Sequence, residues 1–142
     1  MATSVYQAPS MIVAVISGHH GVPRMGELVL FDPVRGRRQA AGAIQRIPGY
    51  GKEVEPVIQD GLVNGSWPKF LHPYPLSDKY LLTAMQSGKN QPWGIYLVDV
   101  FDNIVPILVD PKHDFFEPLP LQTRPAPPTI PDRTDRSRDD AV

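Results

Sequence analysis

The sequence predicts an all-β protein, and three observations support that prediction. The 142-residue chain contains 17 prolines, more than twice the usual share of about 5%. Proline is excluded from helix interiors and central strands because it lacks an N–H and fixes φ. Short apolar, β-branched runs recur along the chain and end at turn residues. The hydrophobic share of 42% is too high for a wholly unfolded chain, so the prolines are expected in ordered connections between strands.

The first half of the chain contains three candidate strands. Residues 11–16 form an apolar run that ends at Ser17-Gly18, which is typical of a buried strand. Residues 27–31 form a second run, stopped by Asp32-Pro33. Residues 43–47 are expected to form a short edge strand.

From residue 48 to residue 75 the sequence predicts a long irregular connection. The stretch contains five prolines and several aromatic residues, which are expected to pack it against the sheets. A connection of this length is usually functional or tightly packed, so it is a candidate partner surface.

Three further strands are predicted in the second half, at residues 80–85, 94–101 and 104–109. Only Asp102-Asn103 separates the last two. Because Asn and Asp tolerate a positive φ, these residues predict a two-residue hairpin turn.

The apolar pattern repeats along the chain. Residues 28–32 (LVLFD) match residues 95–99 (IYLVD), and an apolar strand followed by Ser-Gly precedes each copy. The repeat divides the chain into unit one, about residues 11–47, and unit two, about residues 76–121. One such unit cannot bury both of its faces, so stacked copies are predicted; two unrelated hairpins in a sandwich are the alternative.

The ends of the chain are expected to lie outside these units. Residues 1–10 are polar and predict a disordered or edge-strand lead-in. Residues 123–142 are rich in Pro, Arg and Asp and poor in apolar side chains, so they predict a disordered linker.

Composition excludes several classes of function. The chain has no cysteine, which rules out disulfides, thiolate metal sites and C-x-x-C-H haem attachment. A formal net charge of −1 lacks the excess of positive charge that is typical of a dedicated DNA- or RNA-binding protein, so no nucleic-acid partner is expected. No apolar run approaches the ~20 residues of a membrane span, so no membrane span is expected.

The adjacent pair His19 and His20 is the candidate metal site. Neutral imidazoles suit Zn, Cu and Fe, and the flanking glycines allow a loop in which both rings turn towards one ion. His72 and His113 are candidate third ligands, although no short ligand spacing supports them. The alternative is that one ring binds loop backbone while the other is solvated.

Three aspartates stand where predicted strands end: Asp32, Asp99 and Asp102. They could cluster around a cation, but carboxylates at such positions more often accept backbone N–H bonds and cap turns. Turn capping is therefore the prediction.

Two segments resemble a TolB-type β-propeller blade. They are residues 75–80, with Ser77-Asp78-Lys79, and residues 93–103, with Tyr96-Leu97-Val98-Asp99. The resemblance implies that the chain holds about two blades of a partial propeller, because a closed ring takes ~4–8 blades.

Further segments make the resemblance specific to one family of propellers. They are residues 17–21, 26–33, 45–49, 69–77 and 117–121. Together they resemble the middle, six-bladed propeller domain of hydrazine synthase alpha subunit-like proteins, over about residues 7–134. The resemblance implies a fragment of a larger bacterial envelope or periplasmic protein, in which these blades form a non-catalytic scaffold that contacts the remaining blades, other domains or other subunits.

That family includes a multihaem oxidoreductase, so the resemblance also implies an alternative function. The chain would then be the propeller portion of a haem-dependent oxidoreductase whose haem sites lie elsewhere. No haem ligand of the family maps onto a residue of this chain, and no cofactor is expected within it.

Overall fold

The part of the chain that the structure describes contains seven β-strands and one short 3-10 helix. The structure is a computed structural model, and it describes residues 11–18, 20, 24–52, 54, 60–123, 125–132 and 134. In chain order the elements are β1 (Ile12–Ile16), β2 (Glu27–Phe31), the 3-10 helix (Gln39–Gly42), β3 (Ala43–Ile47), β4 (Lys69–Pro75), β5 (Tyr80–Gln86), β6 (Trp93–Asp99) and β7 (Ile104–Leu108). The all-β class is confirmed. No helix within the described ranges has the length and apolarity to cross a membrane.

The strands form two antiparallel sheets in which neighbours in sequence are neighbours in space. The first sheet has the order β1-β2-β3 and the second the order β4-β5-β6-β7. Each sheet is thus a meander, the first within residues 12–47 and the second within residues 69–108.

Strand β4 lies inside the stretch that the sequence analysis assigned to a long connection, so that assignment was wrong for residues 69–75. Its two prolines, Pro73 and Pro75, are tolerated because β4 is an edge strand. A register shift lies between Leu71 and Tyr74, and His72 within it has a φ of 49°. The second sheet therefore begins at residue 69 rather than 76.

The hairpin between β6 and β7 is confirmed, but its turn is longer than predicted. The connection spans residues 100–103, because β6 ends at Asp99 and β7 begins at Ile104. Asp102 has a φ of 71°, as its place in a tight turn requires.

The segment that follows β7 returns across the second sheet. The Phe115 N–H donates to the Trp93 carbonyl at 3.0 Å, and the Trp93 and Phe116 rings lie 5.5 Å apart. Further along, the Gln122 amide donates to the Tyr74 hydroxyl at 2.9 Å. Residues 125–132 and 134 belong to no helix or strand; the disorder expected of the tail stays a prediction.

One apolar core joins the two sheets. Its centre consists of fully or almost fully buried side chains from both: Leu28, Leu30, Ile47, Phe70, Leu81, Met85, Tyr96 and Val98. The backbones of Gly26 and Phe70 also exchange two hydrogen bonds, of 2.7 and 3.3 Å, which tie the start of β2 to β4. A side chain at residue 26 is impossible here, since its Cβ would lie 1.8 Å from the Ile16 carbonyl oxygen.

Candidate functional site

The two sheets meet through opposite faces of their matching strands. In the sequence repeat, Leu28 and Leu30 correspond to Ile95 and Leu97, which precede the matching aspartates by the same number of residues. On β2 the core is reached by Leu28 and Leu30, whereas on β6 it is reached by Tyr96 and Val98. Because successive side chains of a strand alternate between faces, Ile95 and Leu97 point away from the first sheet. The two sheets therefore pack head-to-tail: the inner face of unit one meets the non-equivalent face of unit two, and equivalent faces do not meet.

The antiparallel ladder extends this correspondence to the preceding strands. Val15 pairs with Leu28, and Ala84 pairs with the matching residue Ile95. Val15 packs on the shared core, while Ala84 lies on the outer face of the second sheet together with Ile95. When the two units are aligned by this register, their Ser-Gly pairs are displaced from each other by one residue. The pairs therefore mark the ends of strands but do not occupy equivalent positions.

The matching aspartates cap the turns after β2 and β6 in the same way. Asp32 Oδ1 accepts the Val34 N–H at 2.9 Å, and Asp99 Oδ1 accepts the Phe101 N–H at 2.9 Å. The Asn103 amide also donates to Asp99 Oδ2 at 2.8 Å. That side-chain hydrogen bond, with the backbone N–H groups of Asn103 and Phe101, holds the pKa of Asp99 below its ordinary value despite burial. Turn capping by these residues is confirmed.

The third aspartate, Asp102, joins the two sheets instead of capping its own turn. Its Oδ2 accepts the Gly49 N–H at 2.8 Å and the Tyr50 N–H at 2.7 Å, in the turn that follows β3. Nearby, the Gln45 amide of β3 donates to the Val100 carbonyl at 2.8 Å. Polar contacts thus lock the end of the first sheet onto the β6–β7 turn.

A cleft of about 830 Å³ opens between the sheets on the side away from the Gly26–Phe70 bridge. Apolar side chains of both sheets line it, among them Val13, Leu30, Ile44, Leu81 and Val100. The opening is bordered by residues 75–80 and by exposed Met11 and Ile12. The walls of the cleft are therefore mainly apolar.

Charged groups stand at the rim of this cleft. Arg35 Nε lies 3.5 Å from Asp32 Oδ2, and Asp78 and Lys79 line the opposite side. The 76–80 turn is held in place because Ser77 Oγ accepts the N–H groups of Lys79 and Tyr80, each at 3.1 Å. The rim of the cleft is thus charged, whereas its walls are apolar.

Lys69 is a buried cation at the start of β4. Its Nζ donates to the Val63 carbonyl and lies 4.8 Å from the centre of the Trp67 ring. Burial lowers the pKa of Lys69, and the carboxylate of Glu27 partly opposes that shift. These contacts anchor the residues before β4 to the strand.

The outer face of the second sheet is apolar and only partly covered. On the neighbouring strand β7, Leu108 pairs with Ile95 and Val105 pairs with Leu97. The exposed fractions of Leu108 and Val105 are 46% and 48%. The segment after β7 covers other parts of this sheet, at Trp93 and Tyr74. An apolar strip at the β7 edge consequently faces solvent.

The predicted histidine site is described only in part. His19 lies outside the described residues. The ring Nδ1 and the backbone N–H of His20 both lie 3.1 Å from Asp60 Oδ1. His113 Nδ1 is 3.1 Å from Asp110 Oδ2, and the His72 ring packs edge-on against Phe116.

Within the described ranges, no three His, Asp or Glu side chains form a group that could hold a metal ion. Metal binding by His19 and His20 stays a prediction.

Comparisons with protein families, with curated proteins and with solved structures find no match to this chain.

Neither the cleft nor the Asp102 bridge is predicted from the sequence. Asp102 and Gly49 are 53 residues apart, and the cleft is lined by strands of two separate sheets. A local pattern contains no signal for either feature.

Proposed function

We propose that this chain is a non-catalytic scaffold and interaction module. In this proposal it forms two TolB-type propeller blades, similar to the middle domain of hydrazine synthase alpha subunit-like proteins. It docks against further blades or other domains of a larger envelope protein. The observation that supports the proposal is the head-to-tail packing of the two sheets.

Head-to-tail packing leaves the outer face of unit two as an open end of the pair. Unit two covers Leu28 and Leu30 of unit one, and the matching face of unit two holds Ile95 and Leu97. A further unit can dock on that face in the same manner, because a heterologous interface repeats until a ring closes. A sandwich of like faces would have no such open end.

Exposed apolar residues at the β7 edge give this face a tendency to associate. Full burial of a Val or Leu side chain is worth about 1.5–3 kcal/mol, so the half-exposed Val105 and Leu108 could each gain about 1 kcal/mol on docking. In the isolated chain a second copy can supply the missing face. Self-association is therefore the expected behaviour.

Sedimentation velocity over a range of protein concentrations tests the proposal. The wild-type chain is expected to shift to larger species as concentration rises. The variant Val105→Lys/Leu108→Lys is expected to remain monomeric, because docking would bury two charges. Val34→Lys is the matched control, since Val34 is 80% exposed in the turn after β2 and should associate like the wild type.

Two results would contradict the proposal. One is a wild-type chain that stays monomeric at every concentration and unfolds in a single cooperative thermal transition. The other is association that persists unchanged in Val105→Lys/Leu108→Lys, which would place the contact elsewhere.

A further inference from the structure

A proline-rich segment follows the second sheet and is exposed along its whole length. Residues 125–131 read Pro-Ala-Pro-Pro-Thr-Ile-Pro, so four of seven residues are proline. Every residue from 125 to 132 is exposed, and none belongs to a helix, strand or turn. Ile130, a large apolar residue, is 83% exposed. The segment is thus available to another molecule.

The sequence favours the polyproline II conformation over this segment. Each proline fixes its own φ near −65°. Each residue before a proline is also pushed towards extended backbone, which applies to Ala126, Pro127 and Ile130. Most of the backbone freedom of the segment is therefore already lost before binding, and ordering it on a partner costs little entropy.

The prolines have the spacing of a single ridge. A polyproline II helix has three residues per turn and a rise of 3.1 Å per residue. Pro125, Pro128 and Pro131 are each three residues apart, so they lie on one face at intervals of about 9 Å, roughly 19 Å from first to last. Pro127 and Ile130 form a second apolar row beside them.

We propose that residues 125–131 are a binding segment for a protein domain with an aromatic-lined groove of the SH3 or WW type. Such grooves bind P-x-x-P segments because the proline ridge of a preformed polyproline II helix packs between the aromatic side chains that line the groove. The overlapping spacings Pro125-x-x-Pro128 and Pro128-x-x-Pro131 supply two consecutive copies of that pattern. The proposal does not depend on the sheet faces discussed above, since the segment contributes no strand to either sheet.

Biolayer interferometry with the full-length chain tests this proposal. A panel of isolated SH3 and WW domains is immobilised as the probe. At least one domain is expected to bind the wild-type chain, and the triple variant Pro125→Ala/Pro128→Ala/Pro131→Ala is expected to lose at least about tenfold in affinity. Pro111→Ala is the matched control, because Pro111 is also exposed but lies in the turn after β7, and it should bind like the wild type.

The triple variant should leave the thermal transition unchanged, because the segment is exposed and outside the core. Two outcomes would overturn the proposal: no domain of the panel binds the wild-type chain, or the triple variant binds as tightly as the wild type. In the second case another part of the chain would be the binding segment.

Discussion

Replacement of Asp102 by glycine gives a sharp test of how the two sheets are joined. Asp102 has a φ of 71°, a conformation that glycine adopts more readily than any other residue. Judged by its own turn alone, Asp102→Gly should leave the protein unchanged or slightly more stable. The structure predicts the opposite, because the carboxylate accepts two N–H groups from the turn after β3.

The size of the loss follows from those two hydrogen bonds. A hydrogen bond to a charged group contributes about 1.5–3 kcal/mol, and the contact with the Tyr50 N–H is exposed, so the pair contributes about 2–3 kcal/mol. Relief of backbone strain at Asp102 offsets up to about 1 kcal/mol. A net loss of about 2 kcal/mol is expected, which lowers the Tm of a domain of this size by about 6–8 °C.

Urea and thermal unfolding, followed by tryptophan fluorescence, measure that loss. Asp102→Asn is the matched variant, since asparagine tolerates the same φ and keeps one carbonyl oxygen as an acceptor. It should lose less than about 1 kcal/mol. If Asp102→Gly proves as stable as the wild type or more stable, Asp102 does not bridge the sheets and the reasoning is refuted.

Two further predictions concern stability. Phe70→Ala should destabilise the protein by about 3–5 kcal/mol in urea unfolding, because Phe70 is fully buried in the shared core; a loss below about 1 kcal/mol would mean that the core is not shared. The Asp99 pKa is depressed, so its stabilising contribution is complete above the unfolded pKa near 4 and is lost as pH falls through the folded pKa. Asp99→Asn should accordingly flatten the dependence of unfolding free energy on pH as the pH falls below about 5, and an unaltered profile would contradict this.

The strands predicted from sequence were those whose signal is local. β1, β2, β5, β6 and β7 are apolar runs bounded by turn residues, and pattern alone identifies them. The short edge strand predicted at residues 43–47 is likewise present as β3. β4 was missed because its prolines normally argue against a strand. Only its position at a sheet edge, which is a property of the assembled sheet, makes them acceptable.

The hairpin turn shows the same limit on a smaller scale. Asp102-Asn103 correctly marks a turn, but the observed connection has four residues, because Asp99 accepts hydrogen bonds from Phe101 and Asn103 and ends β6 early. The partner of Asp102 could not be predicted either. It lies in the turn that follows β3 of the other sheet, and only the packing of the two units places the Gly49 and Tyr50 N–H groups within reach.

Contacts between side chains of β2 and β6, measured by nuclear Overhauser effects, test the head-to-tail packing most directly. The account predicts cross-peaks from the Leu28 and Leu30 methyl groups to Tyr96 or Val98, and none from those methyl groups to Ile95 or Leu97. Cross-peaks to Ile95 and Leu97 instead would mean that like faces meet in a two-layer sandwich, which has no open end for a further blade.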